Sequence, residues 1–142
     1  MTSRSEADMV ALTEALYRAD SARVQRLLAE EAGLRADLRQ LETMRRTAGE
    51  MPQEDASVYR AVGADLLWQG WIGQSKARLH SELARILGRK GQLSRELRRS
   101  FGKYQAATQL SEEEARRVVQ RRDMARTALL DSLAQLLRTS PD

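Results

Sequence analysis

The sequence predicts an all-α protein built as a long antiparallel coiled-coil hairpin, and three observations predict it. Leu, Ala, Arg, Glu and Gln dominate a chain of 142 residues that is 31% charged and carries only two prolines and one phenylalanine. That is the composition of long helices and coiled coils. Apolar residues recur three and four positions apart over most of the chain, which is heptad spacing. A single Gly/Pro segment, residues 49–56, interrupts them, and a short link between helices favours antiparallel neighbours. The expected organisation is one elongated domain over 1–142: a helix over 5–48, the connector over 49–56, a helix over 57–108 and a C-terminal helix over 111–138.

The first helix is expected to open at Ser5, with Asp8 three residues on in a capping-box position. Its apolar positions are Met9, Leu12, Leu16, Val24, Leu27, Leu34, Leu38, Leu41, Met44 and Ala48. From Val24 to Leu41 most steps alternate three and four, with Glu31 at one seam place. Between Leu16 and Val24 the pattern slips through Asp20, so a local loosening is expected there. Gly49 and Pro52 end the helix, since glycine suits the residue past a C-cap and proline cannot continue the hydrogen-bond ladder.

The second helix opens near Asp55 or Ser57 and passes through Leu66-Leu67-Trp68-Gln69-Gly70-Trp71-Ile72, which holds both tryptophans. At about 100° per residue its five large apolar side chains cover well over half the helix circumference. A two-helix seam needs only a narrow stripe, so this stretch carries apolar surface that one neighbour cannot cover. Further on, Leu79, Leu83, Ile86, Leu93, Leu97, Phe101 and Tyr104 form a clean stripe with Lys90 in its one gap. A polar residue at a single seam position, here Glu31 or Lys90, fixes register at some loss of stability. Whether these two meet depends on the register, which one strand of the pair does not reveal.

Near Gln109-Leu110-Ser111 the stripe changes phase. Ser111 and Glu114 make a second capping-box pattern, although no Gly or Pro stands there, so a phase slip in one continuous helix and a kinked or folded-back C-terminal helix both remain open. Ala115, Val118, Ala125, Leu129, Leu133 and Leu136 share the last apolar face, widened by Leu130 and Leu137.

The net charge of +4 is concentrated in the middle. From Lys76 to Lys103 nine basic residues stand against Glu82 and Glu96 alone. Arg85, Arg89, Arg95, Arg98 and Arg99 form the candidate basic face, suited to phosphates or to an acidic protein surface. A nucleic-acid binder is the weaker reading, because aromatic side chains do not alternate with these arginines as stacking platforms would. Catalytic constellations are absent from the sequence. There is no cysteine and one histidine, His80, and neither a phosphate loop nor a dinucleotide fingerprint occurs. No enzyme activity, cofactor or metal is expected. With no apolar run of membrane length and no secretory leader pattern, a cytoplasmic location is expected.

Taken together, the long mixed-charge first helix, the Gly49/Pro52 connector, Trp71-Ile72, the heptad helix and Gln105-Ala106-Ala107-Thr108-Gln109-Leu110 before an Arg/Glu-rich helix resemble the FliJ family of flagellar export proteins and its YscO-type relatives in type III secretion. The resemblance spans Leu12 to Leu137. It implies a coiled-coil stalk that inserts into a hexameric export ATPase, contacts the export gate membrane protein and escorts export chaperones, peripheral to the inner membrane. In that family a patch near the hairpin end docks on the gate; the positions matching it are Leu41, Met44, Ala48 and Trp71, with Trp68 and Ile72 beside them. The chain departs from the pattern at Ala48 and Ser75, where larger residues are usual. A coiled-coil adaptor or chaperone outside secretion is the alternative implied by the residues alone.

Overall fold

The computed structural model describes residues 2–49 and 58–140, with side chains from 4 to 49 and from 63 to 140. Two helices account for them: α1, Thr2–Gly49, and α2, Val58–Arg138. They pack against one another as an all-α hairpin, and no strand occurs among the described residues. Most of the expected connector and the start of the second helix fall outside the described residues.

Two sequence expectations about helix ends are corrected. α1 already includes Thr2, so Ser5 and Asp8 lie inside it and do not cap it; nothing in Thr2-Ser3-Arg4 opposes extension of the helix. α2 runs unbroken through Gln109-Leu110-Ser111, so the separate helix expected over 111–138 is the last part of α2 and not an element of its own. Without glycine or proline at the phase change, the backbone has no reason to leave the α region there.

The chain divides into two units, Asp20–Leu97 and Met1–Ala19 with Arg98–Asp142. In the unit 20–97, Leu27, Leu41, Ile72, Leu79, Leu83 and Ile86 are buried. Val24, Leu34, Leu38 and Leu93 are half-buried around them. Two ion pairs cross this seam. Lys76 Nζ donates to Glu42 Oε2 at 2.6 Å, and Lys90 Nζ donates to Glu31 Oε2 at 3.0 Å. Descending α1 from Glu42 to Glu31 thus corresponds to ascending α2 from Lys76 to Lys90, which makes the pair antiparallel. Glu31 is buried and also takes hydrogen bonds from Arg35 Nε and Nη2 through its Oε1. The two polar seam residues singled out by spacing do meet.

In the other unit the seam is aromatic. Tyr17 stacks parallel on Tyr104 with ring centroids 5.9 Å apart, and tilts against Phe101 at 5.2 Å. Val10, Thr13 and Tyr17 are half-buried on α1 here, as are Glu6 and Glu14, while Met9, Leu12 and Leu16 are exposed. The slip expected at Asp20 is therefore not needed: Val10, Thr13, Tyr17, Asp20 and Val24 are spaced three and four apart and every one of them is half-buried. Tyr17 takes the seam, where its ring packs against Tyr104 and Phe101. On α2, Ser100, Tyr104 and Ala107 face inward and Phe101 stays more than a third exposed, so Phe101 flanks the seam it was expected to fill.

Glu31 and Glu42 hold their charge below the ordinary carboxylate value of 4.5, chiefly through the hydrogen bonds from Lys90 and Lys76. A folded value below the unfolded one stabilises the fold fully above pH 4.5, and that contribution disappears as pH falls through the lowered folded value. Thermal melting should thus hold steady from neutrality to about pH 5 and drop below it, and the Glu31→Gln/Glu42→Gln double variant should lose most of that drop. Circular dichroism melts across this range decide it; a melting temperature that rises on acidification would contradict the assignment.

Candidate partner-docking site

Within the unit 20–97, the residues matched to the docking patch gather near the C-terminal end of α1, but on two flanks of the seam. Leu41 and Ile72 are buried, and each lies in one of two grooves. On one flank Leu41, Met44, Trp71 and Ser75 line an open groove of about 320 Å³ with Asp37, Gln40, Arg78 and Leu79 at its rim. On the other, Ala48, Trp68 and Ile72 line a groove of about 600 Å³ with Arg45, Asp65, Gln69 and Lys76. The six residues do not form one continuous patch.

Trp68 and Trp71 are three residues apart, so their rings leave α2 one turn apart and stack, with centroids at 5.3 Å. Trp68 lines the larger groove and Trp71 the smaller. Trp68 is half-buried, and its indole Nε1 is buried without an acceptor among the described residues. Trp71 is 48% exposed. Leu66 and Leu67 point away from α1 altogether, with Leu67 79% exposed. The excess apolar surface expected of this stretch is present, and Trp71 with Met44 is the part that borders a groove. A Cβ at Gly63, Gly70 or Gly73 would meet nothing within 4 Å, so no close backbone approach requires these glycines.

The candidate basic face is less unified. Arg85, Arg89 and Arg95 belong to one unit and Arg98 and Arg99 to the other, and all five are exposed. Arg89 lines a groove of about 370 Å³ together with Leu27, Leu93, Glu30 and two arginines of α1, Arg23 and Arg26. Sequence reasoning missed Arg23 and Arg26 because they sit in a charge-balanced stretch. Only the register brings them beside Arg89, and the Glu31–Lys90 pair is the clue that sets it.

Among the described residues no group of three or more acidic or histidine side chains is placed to hold a metal ion, and His80 is exposed. No described helix is long and apolar enough to cross a membrane. No protein-family model, curated protein or solved structure matches this chain.

Proposed function

We propose that this chain is a non-enzymatic helical hairpin that docks protein partners, and that it serves as the coiled-coil stalk of a type III export apparatus. In this reading it inserts into a hexameric export ATPase and couples it to the export gate membrane protein. The observation that carries the docking part is the groove in which half-exposed Trp71 and Met44 stand over buried Leu41. A large aromatic side chain at the edge of a preformed apolar groove is the usual anchor of a protein–protein contact. The order of elements that resembles the FliJ family supports the export part.

Co-purification with the export ATPase encoded in the same genome, scored by ring assembly and ATP turnover, tests the stalk. Absence of both binding and stimulation at moderate salt would leave the adaptor reading in its place. Trp71→Ala should weaken binding to the soluble domain of the gate by about 2 kcal/mol or more, roughly thirtyfold. Its melting temperature should fall less than that of Trp68→Ala, since Trp71 is already half-exposed. Trp68→Ala, which empties the half-buried partner of the stack, should do the opposite.

A further inference from the structure

Among the described residues, no helix covers the last part of α2. Val118 is the final half-buried position, and every described residue from 119 onward is exposed. Among them are Val119, Met124, Leu129, Leu130, Leu133, Leu136 and Leu137, the last 80% exposed. At about 100° per residue, Val118, Ala125, Leu129, Leu133 and Leu136 lie within about 80° of arc, and Val119, Leu130 and Leu137 widen it to about 140°. The stripe is in phase with Ser100, Tyr104, Ala107 and Val118, so it prolongs the seam that α1 fills within this unit. Leu129, Leu133 and Leu136 have the spacing of helix-in-groove anchors.

Charge identifies the occupant. Arg122 and Arg126 fall inside the apolar arc, and neither pairs with a carboxylate among the described residues. Asp131 lies on the opposite face, and Asp123 just outside the arc. Arg117 and Arg121 are already engaged by Glu113 and Glu114. A second copy packed parallel and in register would set its own Arg122 and Arg126 against these two, with no acid inside the arc to answer them. A lipid surface is disfavoured because no aromatic residue follows Tyr104 to anchor the interface and acids share the polar side.

We infer that the leucine face of residues 118–137 is a docking surface for an acidic amphipathic helix, which continues the coiled-coil seam and places carboxylates against Arg122 and Arg126. This inference is independent of the export reading.

The test uses the full chain and two labelled peptides of about three heptads, both with leucine at a and d, one with glutamate and one with lysine at e and g. Fluorescence anisotropy should show the glutamate peptide binding about tenfold or more tighter than its lysine twin. The Arg122→Glu/Arg126→Glu variant should reverse that preference. Leu133→Asp should abolish binding of both peptides while helicity by circular dichroism is kept, since its side chain touches no other element. Equal affinity for the two peptides, or binding of neither, overturns the inference. So does self-association in sedimentation that Leu133→Asp removes, which would assign the face to a second copy. Co-sedimentation with phosphatidylserine-containing vesicles, lost in the same variant, would assign it to a lipid surface.

Discussion

Replacing Glu31 by lysine is expected to give the largest loss of stability of any single charge change in this protein. Glu31 is buried in the seam and is held by Lys90 from α2 and by Arg35 from the next turn of α1. A lysine there would put three cations within reach of one another, with no carboxylate to offset them. Removing one partner already costs stability, because the other charge, on half-buried Lys90, loses its counterion where solvent screens it only in part; reversing it adds repulsion. The measurement is a circular dichroism melt at neutral pH, where the variant should unfold far earlier and less cooperatively. Lys90→Glu in the same chain should recover a large share of the loss by re-forming the pair in the opposite sense. A single variant that melts like the parent, or a double variant that recovers nothing, would show that this pair does not hold the register. Replacing both residues by leucine makes a further distinction. Stability should stay level or rise while the alignment of the helices becomes less defined, as polar seam residues trade stability for register.

Leu27→Ala should have the second large effect. Leu27 is 3% exposed, the lowest figure among the buried apolar residues, and it borders Leu93 and Arg89 across the seam. Leucine-to-alanine changes in cores cost about 2–5 kcal/mol, the upper part where the site cannot collapse. In a two-helix seam the flanks are open and water can enter the space, so about 2–3 kcal/mol is expected here. Leu67→Ala, at a position 79% exposed, should change stability by less than about 0.5 kcal/mol, as surface substitutions do. Chemical denaturation of the two variants in parallel settles the point. Equal losses would mean that Leu67 is covered and that the apolar excess of the tryptophan stretch is illusory.

How much of this was legible in advance differs along the chain. The hairpin itself was, since the heptad period of Val24 to Leu41 and of Leu79 to Leu97 can be satisfied only by a facing helix. The meeting of Glu31 with Lys90 was half legible: each stood out as a polar residue in an apolar stripe, but their pairing depends on register. The N-terminal seam was misread because Leu12 and Leu16 look like core by composition. Tyr17, Thr13 and Val10 keep the heptad phase instead, and the rings of Tyr104 and Phe101 reward that choice. The docking patch was legible as a list of residues and not as a shape. Trp68 and Trp71 stack on one another and yet line different grooves, which no composition argument reveals.

By itself, then, the sequence determined the helical class, the antiparallel pairing and the presence of more apolar surface near Trp71 than one neighbour can cover, because periodicity and helix-breaking residues are local properties. Tertiary structure alone decided which side chains share a groove, that Arg23 and Arg26 join Arg89, and that the leucines after Val118 go uncovered. Those outcomes depend on the register and reach of two distant segments, and no residue encodes them on its own.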